Sequence, residues 1–123
     1  RGGRTFGALA MDGRLPAHLE AGAIMRLAET EGGFATVLAK GERDAGTILL
    51  VTLCHGKGGV LYERMPQLDG SRKFLAAKRE NPEKPEEFSE YLERRRAQDR
   101  DMWLIEVDIA DPERFVARLN KLR

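Results

Sequence analysis

Met102-Trp103-Leu104-Ile105-Glu106-Val107-Asp108-Ile109 is the stretch that decides the fold. Trp103, Ile105, Val107 and Ile109 alternate with Met102, Leu104, Glu106 and Asp108, the period of two that sends successive strand side chains to opposite faces. Just after it, Asp111-Pro112-Glu113 reads as a helix start, with Asp at the N-cap and Pro at the first helical position. Phe115, Leu119 and Leu122 then recur at helical spacing. Before it, Pro85 to Gln98 predicts a helix with Glu86 and Glu87 in the first turn and Arg94, Arg95 and Arg96 near the end, as the helix dipole favours. A strand that follows a helix can return parallel to a neighbour as a crossover strand.

Working toward the N-terminus, Pro16 to Glu31 reads as a helix stopped by Gly32-Gly33, with Leu19, Ala23, Ile24, Leu27 and Ala28 on its apolar face. Three β-prone runs follow, Phe34–Lys40, Thr47–His55 and Val60–Met65. The short glycine-bearing breaks between them predict antiparallel hairpins. Pro66 ends the third run, Leu68-Asp69-Gly70 makes a turn, and Arg72–Ala77 is a weaker fourth strand. The order α-β-β-β-(β)-α-β-α predicts an α+β domain, a mostly antiparallel sheet of four to five strands with three helices packed on one face. Residues 14–123 form this single domain and residues 1–13 a flexible N-terminal extension, with Met11 a candidate natural start.

Composition narrows the classes of function. Lys and Arg number 21 against 20 Asp and Glu, a net charge of +1, which argues against a polybasic nucleic-acid arm or an acidic tail. The lone Cys54 makes no intrachain disulfide. The longest apolar run, Ile48–Leu53, is far short of the ~20 residues of a membrane span. No signal-peptide pattern is present at the start, so a cytoplasmic location with no membrane partner is the expectation.

Several stretches carry a family resemblance. They are Arg14-Leu15-Pro16-Ala17-His18-Leu19-Glu20, Glu31-Gly32-Gly33-Phe34-Ala35, Tyr62-Glu63-Arg64-Met65-Pro66-Gln67-Leu68-Asp69-Gly70, Trp103, and Asp108-Ile109-Ala110-Asp111-Pro112-Glu113-Arg114-Phe115. Over residues 14–116 the chain resembles a family of small, mainly alphaproteobacterial proteins known as domain of unknown function 1491. The Glu-Arg-Met-Pro-Gln-Leu-Asp-Gly string is its most specific part. The resemblance brings no activity, cofactor or catalytic residue with it.

Candidate ligand-binding residues come from the chemistry of the side chains. Arg64, Gln67, Asp69 and Arg72 surround one turn at a strand end, where guanidinium forks beside backbone N–H groups suit an anion or carboxylate. The plainer reading is that Asp69-Gly70 makes the turn and an arginine holds it. On the second helix, Arg95 and Asp99 fall within the apolar stripe of Phe88, Tyr91 and Leu92. Arg95 either projects into a cleft, pairs with Asp99, or meets a carboxylate on the sheet. Glu106 and Asp108 share a strand face ~6.6–7 Å apart, a spacing open to a metal or to a general acid–base pair, or are simply wet at a strand end. No metal or cofactor is expected: His18 and His55 lie on different elements, and Gly56-Lys57-Gly58-Gly59 lacks the phosphate-loop pattern.

The leading expectation is a non-enzymatic binding or accessory domain, self-associating through a sheet face near Met102 and Trp103. The rival is an enzyme, a transferase or hydrolase acting on a small anion through Arg64, Asp69, Arg72 and Arg95. The element order is loosely similar to the acetyltransferase fold, but the Arg/Gln-x-x-Gly-x-Gly/Ala turn after the fourth strand is missing. RNA binding is disfavoured by the near-zero net charge.

Overall fold

Ile48-Leu49-Leu50-Val51 is apolar at four consecutive positions, and a strand buried on both faces belongs in the middle of a sheet covered on both sides. The computed structural model, which describes residues 15–122, puts it there. The elements run α1 (Ala17–Thr30), β1 (Phe34–Ala39), β2 (Ile48–Cys54), β3 (Lys57–Pro66), β4 (Arg72–Arg79), α2 (Pro85–Gln98), β5 (Trp103–Asp108) and α3 (Pro112–Lys121). One sheet holds all five strands in the order β1-β5-β2-β3-β4. The β2–β5 pair is parallel, in register from Ile48↔Trp103 to Leu53↔Asp108, and the other neighbours are antiparallel. This is the predicted α+β architecture, with β5 as the crossover strand and a full fourth strand.

Several expectations are corrected. The helices cover both faces of the sheet, not one. α1 and α3 pack over Ile48, Leu50, Tyr62, Phe74, Trp103, Ile105 and Val107. On the other face α2 lays Phe88 over Leu49, Val51, Leu61 and Leu104. The central strands are apolar at odd and even positions alike, so a single helical layer would leave one set in water. Met102 and Trp103, expected at a sheet face or interface, are buried against the sheet, Met102 in the layer under α2 and Trp103 under α1 and α3.

The second correction is to the hairpins. β2–β3 and β3–β4 are hairpins as expected, but β1 and β2 are not neighbours, because β5 lies between them. β1 is half-exposed along its length and suits an edge, whereas β5 is buried at Trp103, Leu104, Ile105 and Val107 and suits the middle. The β2–β3 connection is the two residues His55-Gly56, with φ of 53° and 77°, the positive pair that matches hairpin twist. In the β3–β4 turn, Asp69 Oδ1 accepts from Ser71 N at 2.9 Å and Ser71 Oγ at 2.6 Å, and Gly70 takes φ 88°.

α1 is rotated from the expected apolar face. Leu19 is exposed, and Glu20 is buried beside Ala17, Ala21 and Ile24. α3 begins as its sequence predicts, with the Asp111 carboxylate accepting from Arg114 N at 3.1 Å. The flexible extension expected over residues 1–13 lies outside the described residues.

Candidate functional site

Adjacent residues on a strand point to opposite faces, so Glu63 and Arg64 of β3 carry opposite charges into opposite layers. Arg64 turns toward α1. Its Nη1 donates to Glu20 Oε1 at 2.9 Å, its Nη2 bonds Glu20 Oε2, and its guanidinium lies 4.6 Å from the centre of the Phe74 ring. The side chains of Arg64 and Glu20 are 9% and 3% exposed. Glu63 turns toward α2, where Arg95 donates to its Oε2 at 2.6 Å and to its Oε1 at 3.2 Å. Arg95 Nη1 also donates to the Tyr91 hydroxyl at 3.3 Å. The bond to Glu63 holds the Arg95 pKa well above the usual guanidinium value, so this group stays charged.

The candidate ligand residues therefore divide. Arg64 and Arg95 lie on opposite faces of the sheet. Arg95 takes the sheet carboxylate among its three sequence readings. Asp99 instead accepts from Asp101 N at 3.0 Å. Arg64 and Arg72 do come together, lining a cavity of about 100 Å³ with Glu20, Asp44 and Thr47. Gln67 stays on its own turn, its Nε2 donating to Met65 O at 3.0 Å, and Asp69 caps the same turn.

Glu106 and Asp108 share the α2 face of β5, and their surroundings differ. Asp108 Oδ2 accepts from Gly56 N at 2.8 Å and holds the β2–β3 turn. Glu106 lines a cavity of about 330 Å³ between α2 and β1, with Leu38, Leu53, Leu92 and Leu104. His18 Nδ1 sits 3.1 Å from Arg43 O, and His55 stays in its turn. Among the described residues, no group of three or more His, Cys, Asp or Glu side chains is placed to hold a metal ion.

The two edges of the sheet are finished differently. At β4 the Asn120 amide from α3 acts as a one-residue strand: Phe74 N donates to its Oδ1 at 2.8 Å, and its Nδ2 donates to Phe74 O at 3.0 Å. At β1 no strand pairs the outer side among the described residues. In β5, Trp103 N and Ile109 N donate to Thr47 and Leu53 of the β2 side, so the even-numbered residues of β5 face β1. Phe34 and Thr36, which pair with Asp108 and Glu106, thus turn their backbone groups inward. Ala35 and Val37 turn theirs outward. On the α2 face of this edge, Phe34 is 77% exposed and Leu38 lies at the mouth of the Glu106 cavity.

Sequence reasoning missed Glu20, Glu63, Asn120 and Phe34. An adjacent Glu-Arg pair in an otherwise apolar strand was a usable signal, since it demands an opposite charge above and below the sheet. The absence of any charge from Phe34 to Ala39 was another. Nothing local marks Asn120.

A mixed five-stranded sheet between two helical layers, with a sealed edge and an open one, defines a small α+β domain. Solved structures share the overall fold. A crystal structure of a DUF1491 family protein from Caulobacter crescentus CB15 matches with a TM-score of 0.71 at 29% identity, covering 82% of this chain and 94% of that one. A solution structure of a protein from A. tumefaciens matches with a TM-score of 0.68 at 27% identity, covering 84% of this chain and 92% of that one. The chain belongs to the family described as protein of unknown function (DUF1491), whose model matches residues 15–117. No curated protein matches it. Among the described residues, no helix is long and apolar enough to cross a membrane.

Proposed function

We propose that this chain is a non-enzymatic binding module that docks a partner protein at the β1 edge and the adjoining groove under α2. The observation that supports it is Phe34, a large aromatic side chain 77% exposed on a strand with no outer neighbour among the described residues. Exposed aromatics beside a groove, here lined by Leu38, Leu53 and Leu92 together with Glu93, Arg96 and Glu106, are usual anchors of protein contacts, and an open edge offers backbone groups to an added strand. A displayed-peptide selection on the purified chain tests the reading. Recovered peptides are extended and apolar, lose binding to Phe34→Asp, and keep binding to Arg72→Ala. Peptides indifferent to Phe34→Asp would overturn it.

A second reading, a transferase or hydrolase acting on a small anion, draws on the cavity that Arg64 and Arg72 share. Arg64 already spends its fork on Glu20, which leaves Arg72 as the ligand-facing cation. A thermal shift with phosphates, nucleotides or acyl carriers, abolished by Arg72→Ala, would favour this reading over the first.

A further inference from the structure

The β1 strand is complementary to itself. Antiparallel pairing of two copies about a two-fold axis through Thr36 uses the backbone groups that point outward. Ala35 of one copy exchanges both hydrogen bonds with Val37 of the other, and the symmetric pair does the same. Thr36 then faces Thr36 as a non-hydrogen-bonded pair. On the α2 face, the exposed Phe34 of each copy packs against Leu38 of the other. On the opposite face Ala35 meets Val37, both already packed against the core of α1 and α3.

Charge agrees with this arrangement. Phe34-Ala35-Thr36-Val37-Leu38-Ala39 contains no charged residue, so two copies oppose no like charges. The other edge cannot compete, because Asn120 occupies Phe74 there and Arg72, Lys73, Lys78 and Arg79 would repel a second β4.

Resting on the docking reading above, we propose that the occupant of this edge is a second copy of the chain, so that two sheets join through β1 into one of ten strands. A six-residue strand pair lies at the low end of interface sizes, below roughly 1,200 Å². The dimer therefore forms and dissociates with concentration.

Light scattering over a concentration series reads the mass, and Thr36→Cys in a Cys54→Ser background reads the axis. With oxidised glutathione, Cα atoms ~4.5 Å apart in such a pair permit a disulfide. The Thr36→Cys chain is expected to cross-link to itself much faster than Glu113→Cys on the exposed side of α3. Phe34→Asp is expected to hold the mass at one chain with an unchanged circular dichroism spectrum. A single-chain mass at every concentration, with Thr36→Cys no faster than Glu113→Cys, overturns the second copy. So does a dimer that survives Phe34→Asp. If Phe34-dependent peptides are still selected, the docking reading stands with a different occupant; if they are not, both fall.

Discussion

Glu63 and Arg64 are one peptide bond apart, yet the ion pairs they make belong to different electrostatic regimes. The Arg64–Glu20 pair is sealed beneath α1, at 9% and 3% exposure. The Arg95–Glu63 pair under α2 keeps 27% and 23%. A buried pair draws little screening from water, so losing one member strands the other charge where it cannot be solvated. A half-wet pair loses far less, because solvent and salt already share the work. The two faces of one strand thus hold their helices by the same chemistry at different strengths, and the α1–α3 face is the one the fold depends on.

The largest expected effect breaks the sealed pair. Arg64→Met leaves Glu20 buried without a counter-charge and costs ~3–5 kcal/mol, read from urea unfolding with the single buried Trp103 as the reporter. Glu20→Leu combined with Arg64→Met recovers most of that loss, to within ~2 kcal/mol of the parent chain, because apolar groups of similar size need no partner. A double variant as unstable as the single one would show that the loss comes from packing around Phe74, not from the stranded charge.

Next in size is the seal on β4. Asn120→Ala removes both bonds to Phe74 and costs about 1–2 kcal/mol, with faster hydrogen exchange at the Phe74 amide. On the other face, Arg95→Met costs about 1 kcal/mol. That gap from the parent shrinks in ~1 M salt, where the Debye length is ~3 Å, while the Arg64→Met gap persists. Equal salt sensitivity of the two variants would erase the contrast between the faces.

The smallest effect lies off both faces. Glu42 accepts from Ala45 N at 2.6 Å and from Asp44 N, and these bonds hold its carboxyl below the ordinary 4.5. A carboxylate with a lowered folded pKa contributes stability above its unfolded value and loses it as pH falls through the folded one. Glu42→Gln therefore lowers the urea midpoint slightly at neutral pH and flattens its acid limb, so that the two chains converge below about pH 4.5.

The elements were largely legible and their neighbours were not. The alternation in β5 and the Asp111-Pro112 start of α3 are local signals, and the structure keeps both. Which strand lies beside which depends on matching faces across long separations, so the glycine-bearing break before Thr47 reads as a hairpin although β5 fills that place. The candidate site shows the same limit. Arg95 stood out because it breaks an apolar stripe, but its partner Glu63 is 32 positions away. Glu20 carried no local mark of its role, since the arginine it pairs with lies 44 positions along the chain.

The place of β5 also bears on how the molecule is made. A chain synthesised from its N-terminus completes β1 and β2 long before the strand that must lie between them. Until residue 108 has left the ribosome, β2 shows one bare flank and neither hydrophobic layer can close. The β2–β3–β4 meander is the part that can form early, and insertion of β5 is the late, long-range step that sets the pace. Arrest of translation before β5 would leave an uncapped central strand, the kind of surface that chaperones bind.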